Sequence, residues 1–441
     1  MGGTEQIEKG LVTIVVPAYN AEQFLYENVE SIINQTYRDL EIIYVCDGCT
    51  DRTAEILQVY AEKDPRMTVR VEMENHGAAV SRNLGMNMAV GDWIIFLDAD
   101  DLYGITMIEE MLEAAVKAQA DMACCYMEHF EDVPDIEASI DHDKKIRKLY
   151  SKTYPIIETE KEQNSIIQIV DKNPWGKLVH KSIYTREEVF FQNIPNSNDV
   201  YYSIVAAIST KRIVFIDKVF CHYRTDKGRH TLSTDKFKRK NYIFEACDQV
   251  FGYIKKRENN GGLLVSFYND VFTNLMYLET NIYNQLFTAL ESTYLDRWEI
   301  RKKDISECLI GLNKVVYRNV LNGNRDNDRQ KIFMEAKVDF VREVAEKGCA
   351  IWGTGLRGVE LLEAISGTDI NIQHVYDSDR NKWETVVAGY RVERPEDVAS
   401  DNVIVTAPKY FDDIKAMIIG NVKNIFNLEE QIWLIPCKEC I

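Results

Sequence analysis

Residues 94–101 read IIFLDADD, an apolar run that ends on three carboxylates within four positions. Like charges a few ångströms apart disfavour each other's ionised form unless a cation sits among them. The stretch therefore predicts a buried strand that delivers acid to a rim where something positive binds. Upstream, from residue 11, short apolar runs (LVTIVV, EIIYVC, MTVRVEM, DWIIFL) alternate with segments of helical period (FLYENVESIINQT, TAEILQVYAEKD, AAVSRNLGMNMAV). That alternation predicts a parallel sheet covered by helices, an α/β domain. Ligands of such sheets sit at the carboxyl ends of the strands. PAYN (17–20), CDGCTD (46–51), NHG (75–77) and DADD (98–101) are then four rim loops around one cleft.

The rest of the composition narrows the function. A chain of 441 residues with 46% hydrophobic content holds two or three domains. A net charge of −18 repels polyanions, so no nucleic-acid partner is expected. The ten cysteines are scattered without a compact disulfide framework, which suits a reducing, cytoplasmic setting. No window approaches the ~18 apolar residues of a transmembrane segment, and the N-terminus lacks the regions of a signal peptide. KFKRK (236–240) and IKKRENN (254–260) read as solvated helix faces, which leaves open a weak contact with the inner face of a membrane.

The run VTIVVPAYNAEQFLYENVESIINQTYRDLEIIYVCDGCTDRT, followed by NHGAAVSRNLGMNMAVGDWIIFLDADD, resembles the donor half of family 2 glycosyltransferases of the GT-A fold over residues 11–102. The resemblance implies a nucleotide-diphospho-sugar transferase domain, a UDP-sugar donor and a glycan, glycolipid or lipid-linked acceptor, in a setting of cell-surface polysaccharide synthesis. It also implies Mn²⁺ or Mg²⁺, hard cations that prefer oxygen ligands and neutralise a departing diphosphate. Asp100 and Asp98 would hold that metal, Asp98 also reaching ribose or a metal-bound water. Asp47 would accept from the uracil imide, with Pro17, Ala18, Tyr19 and Asn20 flanking the base and Gly77 and Arg82 nearby. Read from the residues alone, Asp100 or Asp101 caps a helix running from about Leu102 to Ala120. Tyr19 is then a core residue and Arg82 a surface ion-pair partner.

The chain departs from the family at Cys46, where the pattern has a first aspartate. Cys46-x-x-Cys49 and Cys437-x-x-Cys440 have zinc-like spacing, but the first pair lies in the nucleotide loop and buried free thiols fit better. Farther on, DKNPWGKLVHKSIY, NSNDVYYSIVAAIST and VFCHYRTDKGRHTLS resemble the family's acceptor half. The resemblance makes Asp199 the catalytic base, with Asn198 where a glutamate usually precedes it. Trp175 and Lys177 fall on the acceptor side, where they could stack on and orient a sugar, with core packing of Trp175 the equal alternative; His222 could reach the metal and Arg224 the donor diphosphate. From its position before an apolar-periodic run, Asp199 also reads as the N-cap of a helix.

The expected division is a transferase domain over 1–234, a helical region over 235–345 and a small Rossmann-like domain over 346–441. The helical region shows no chemical motif and would pack on the transferase, shape an acceptor groove or form a homo-oligomer surface. In the last part, Gly353, Gly355 and Gly358 with Asp377 fit a dinucleotide fingerprint. A structural or regulatory role is favoured there over NAD binding. The alternatives to a metal-dependent inverting glycosyltransferase are a nucleotide-sugar-binding protein whose chemistry has lapsed, and an NAD-dependent oxidoreductase or epimerase acting through the C-terminal domain.

Overall fold

The computed structural model describes residues 7–130, 156–224, 242–276, 280–302, 305–325 and 328–432. β1 (Val12–Ala18) is buried along its length except at half-buried Pro17. It lies between two parallel neighbours, β2 (Leu40–Asp47) and β4 (Trp93–Phe96), and β3 (Met67–Glu72) continues the sheet beyond β2. Burial on both faces is why β1, β2 and β4 read as unbroken apolar runs rather than alternating ones. Helices α1 (Leu25–Ile33), α2 (Thr53–Ala61) and α3 (Ala78–Met88) return the chain between these strands.

After β4 come β5 (Leu102–Tyr103), α4 (Met107–Ala118), β6 (Met122–Phe130), β7 (Ile156–Glu158), β8 (Lys177–His180) and β9 (Arg212–Arg224). Among the described residues the sheet has nine strands in the order β3-β2-β1-β4-β8-β6-β9-β5, with β7 on β9. It is mixed, since β8 runs antiparallel between β4 and β6, and β5 antiparallel to β9. The parallel sheet expected from residue 11 to DWIIFL is present as β3-β2-β1-β4, and the antiparallel strands come after it: a short run such as KLVH carries no information about direction. The helix expected from Leu102 is corrected. Leu102 and Tyr103 pair with His222 and Cys221, Gly104 N donates to Phe220 O at 2.8 Å, and the helix starts only at Met107.

The described chain divides into two compact units, Met1–Phe267 and Tyr268–Ile441. In the second unit, Asn313 Nδ2 donates to Asn269 O at 2.7 Å, and Asn269 Nδ2 to Cys308 O at 3.0 Å. These buried amides bond to protein groups, a structural use of polar residues. The same unit holds a second sheet of β10 (Ala350–Trp352), β11 (His374–Tyr376), β12 (Val386–Val387), β13 (Tyr390–Glu393), β14 (Asn402–Val405) and β15 (Asn424–Asn427). Its order is β12-β13-β11-β10-β14-β15, all parallel except the β12–β13 pair. The five parallel strands therefore follow the 3-2-1-4-5 order of doubly wound sheets. No helix among the described residues is long and apolar enough to cross a membrane.

Candidate active site

Register brings the rim loops together. Ala18 pairs with Cys46, Asp47 with Glu72 and Val15 with Phe96, so β1, β2 and β4 release their loops side by side. The turn after β4 is held from behind. The Tyr103 hydroxyl accepts from Asp98 N at 2.7 Å and donates to Asp98 O at 3.1 Å. Asn28 Nδ2 donates to Asp98 O at 2.9 Å and Asp101 O at 2.8 Å, while its Oδ1 accepts from the Tyr44 hydroxyl at 2.7 Å. Asn28 is fully buried on the stripe Leu25, Asn28, Val29, Ile32 of α1. A polar residue interrupting an apolar stripe was the available signal for it, and the motif-based reading missed it.

Arg82, from α3, is buried, which corrects its reading as a surface partner. Its Nη2 lies 2.6 Å from Asp98 Oδ1 and its Nη1 3.5 Å from Asn198 Oδ1, with the guanidinium 5.3 Å from the centre of the Phe191 ring. Its Nε has no hydrogen-bond partner. One cation thus ties the DADD loop to the loop carrying Asn198 and Asp199. Asp199 occupies the N-cap position of the helix Val200–Ser209, but its side chain makes no capping bond. Burial pushes its carboxyl up, and Arg82 opposes this most strongly.

On the nucleotide side, Asp47 is buried and accepts from His76 N at 2.9 Å and Gly77 N at 2.7 Å. It fastens the NHG loop at the head of α3, leaving only its remaining lone pairs for a base. Asn20 and Thr50 cross-bond the first two loops, Thr50 N donating to Asn20 Oδ1 at 2.8 Å. Tyr19 is 52% exposed, so it is not core. Cys49 Sγ donates to Ala18 O at 3.3 Å, and Cys46 and Cys49 are free thiols; Cys437 and Cys440 lie outside the described residues. Gly48 has φ +64°, and an added Cβ would stand 2.4 Å from Asn75 N. Gly48→Ala should cost ~1–2 kcal/mol in left-handed strain, with backbone repulsion in addition. Urea unfolding and UDP titration would read this as lower stability and weaker donor binding together.

The acceptor-side and diphosphate candidates sit differently. Trp175 is buried and stacks on Tyr223, with centroids 6.1 Å apart. Lys177 is 1% exposed and spends its ammonium on the Asp171 carboxylate and Asn173 O. Neither is open to stack on or orient a sugar, a correction whose cause is packing against the sheet. His222 Nδ1 is 2.7 Å from Glu128 Oε1 on the adjacent strand. Arg224 is buried, pairs with Glu27 Oε2 at 2.7 Å and donates from Nε to Asp100 O at 3.1 Å. Its backbone N donates to Asp101 Oδ1 at 3.0 Å, so Asp101 fastens β9 rather than capping a helix. Burial, reinforced by Asp100 and Asp98, pushes the Asp101 carboxyl up. The rest of the segment expected over the diphosphate, 225–234, lies outside the described residues.

In the second sheet, Gly353, Gly355 and Gly358 lie between β10 and the first turn of the helix Leu356–Ile365. Gly353 has φ +110°, and a Cβ on Gly358 would lie 1.9 Å from Gly353 O. Asp377 directly follows β11, and its Oδ2 accepts from Thr354 N at 2.7 Å and from Lys382 Nζ at 3.1 Å, and its Oδ1 from Asp379 N at 2.8 Å. These bonds hold its carboxyl below the usual range despite burial. Its oxygens face the chain's own loop.

A mostly parallel sheet whose acidic rim loops meet a second acid-bearing loop through one buried arginine defines a nucleotide-diphospho-sugar transferase fold of the GT-A class. Residues 13–185 match the profile described as Glycosyl transferase family 2, and the chain carries a domain of that family. Glycosyltransferase GlyA of Streptococcus pneumoniae serotype 4 is 30% identical over 218 residues, 49% of this chain and 31% of that protein. The uncharacterized glycosyltransferase EpsJ of Bacillus subtilis (strain 168) is 29% identical over 223 residues, 50% of this chain and 63% of that protein. The chain therefore spans less than two thirds of either relative. Among solved structures, S. aureus TarS 1–349 in complex with UDP-GlcNAc aligns with TM-score 0.56 at 17% identity, covering 72% of this chain and 89% of that one. At that identity the likeness concerns the fold.

Proposed function

We propose that the chain transfers a sugar from a UDP-sugar to a hydroxyl of a glycan or glycoconjugate acceptor, with inversion, as a step in cell-surface polysaccharide synthesis on the cytoplasmic side. The observation that carries this reading is Arg82, 2.6 Å from Asp98 and 3.5 Å from Asn198, which sets the donor acid beside the loop of Asp199. Asp199 takes the acceptor proton as the hydroxyl oxygen attacks the anomeric carbon, and burial keeps its basicity high. Arg82 holds Asp98 in place, and Asp47 holds the NHG loop against the base side.

Among the described residues no three His, Cys, Asp or Glu side chains gather as a metal cage. Asp98 and Asp100 fit instead the way Mg²⁺ and Mn²⁺ bind nucleotides, through one or two carboxylates with phosphate and water completing the shell. A bound cation there would neutralise the charge of the departing diphosphate. The NAD reading is disfavoured by Asp377, which would have to give up its bonds to Thr354 and Asp379 to reach a ribose. We retain residues 346–441 as a regulatory or structural appendage to the transferase, and 235–345 as a helical region.

The donor complexed with TarS supports UDP-GlcNAc as the first substrate to try. UDP with Mn²⁺ should raise the melting temperature, by the equivalent of ~2.7 kcal/mol at a hundred times the dissociation constant, while NAD should not. A shift with NAD alone would reverse the assignment. Mn²⁺-stimulated hydrolysis across a panel of UDP-sugars then separates an active transferase from a lapsed binding protein, a reading that the Cys46 and Asn198 departures favour.

A further inference from the structure

The helix that lines the donor side also grips the loop that carries the base, through a residue next to Arg82. Asn83 Nδ2 donates to Phe191 O at 2.8 Å, and Asn83 Oδ1 accepts from Phe191 N at 2.8 Å. This amide-to-backbone pair spans 108 positions of sequence. Phe191 is 1% exposed; its ring stacks on Tyr202 with centroids 4.1 Å apart and meets Phe96 edge-on at 4.8 Å. Tyr202 lies on the helix whose N-cap position is Asp199, and Phe96 is the last residue of β4, two before Asp98. Gln192 N then donates to Asn198 O at 3.1 Å, closing the loop back onto the residue before the base.

We propose that Asn83 is a positioning residue of the transfer reaction: by clamping Phe191 to α3, it sets where Asp199 stands relative to the donor acid Asp98. The proposal rests on the reading of Asp199 as the base. Two opposed hydrogen bonds to the N–H and C=O of one residue fix both the distance and the tilt of its backbone, which a single bond does not. Phe191 passes that placement on rigidly, because it is packed between Phe96, Tyr202 and the Arg82 guanidinium. Displacement of a catalytic group by about 1 Å costs ~10²-fold in rate, so a residue that touches neither substrate nor base controls turnover.

The test uses the full chain, UDP-GlcNAc or the best donor of the panel, and Mn²⁺. Asn83→Ala should lower kcat by ~10²-fold while the donor KM and UDP binding stay near those of the parent; the Phe191 N–H and C=O that it leaves unpaired lower the melting temperature as well. Asn83→Asp keeps the acceptor for Phe191 N but sets a charged oxygen against Phe191 O in place of the donor, so it should lose at least as much kcat as Asn83→Ala. An unchanged kcat in Asn83→Ala, with Asp199→Asn inactive alongside, overturns the proposal. A parallel loss of UDP binding in both Asn83 variants overturns it as well, since a purely structural prop of the donor side behaves that way. If Asp199→Asn itself turns over like the parent, the base assignment falls first and the proposal with it, so the two failures are told apart.

Discussion

Asp199→Asn should give a protein that binds UDP and Mn²⁺ like the parent and turns donor over 10²- to 10⁴-fold more slowly, the usual share of a general base. The substitution keeps size and shape and removes the proton affinity together with the negative charge that faces Arg82. No capping bond is lost, because the Asp199 side chain makes none to its helix. Donor binding measured calorimetrically beside steady-state hydrolysis checks both halves of the expectation. The pH profile supplies an independent reading. Burial raises the Asp199 carboxyl above the ~3.9 of a free aspartate. A base works only when deprotonated, so the acidic limb of kcat/KM should be displaced upward, and should vanish in Asp199→Asn. A limb that stays in place in the variant would assign the titration to another group.

Lys177→Met should be the most damaging stability variant in the transferase domain, costing ~3–5 kcal/mol, the range for removing one partner of a buried pair. The lysine side chain is 1% and that of Asp171 11% exposed, so the carboxylate is left in poor solvent contact without its cation. The loop carrying Lys172 and Asn173 is also tied to the base-bearing helix, since Ser203 Oγ donates to Lys172 O at 2.8 Å and Asn173 O at 3.1 Å. Denaturant unfolding measures the loss. Had Lys177 served an acceptor sugar, the same variant would raise the acceptor KM at unchanged stability, and that result would restore the sugar-facing role.

How far the fold could be read beforehand follows from the kind of signal each element leaves. β1, β2 and β4 are buried on both faces and α1 carries an apolar stripe, so hydrophobic period alone marks them. The two-residue strand Leu102–Tyr103 leaves no period, and its pairing with His222 and Cys221 is a tertiary event. Direction is equally invisible in Lys177–His180. In the candidate site, the loops that meet were legible because they follow strands of one sheet. What each side chain does there was less so. Lys177 looks solvent-seeking by type, yet its neighbours on β6 and the Asp171 loop bury it. Asp47 looks ligand-seeking, yet two amides of a loop 29 and 30 positions away occupy it first. Asn83 sits in a helical run where nothing local announces a backbone partner more than a hundred positions on.

The bonding of Asp377 bears on how glycine signatures are counted across genomes. When the acid that completes such a signature is consumed by its own loop, folding alone is enough reason for natural selection to keep that acid and the two constrained glycines, Gly353 and Gly358. Surveys that infer redox-coenzyme use from the pattern would then overstate it, most of all for small sheets appended to other catalytic modules.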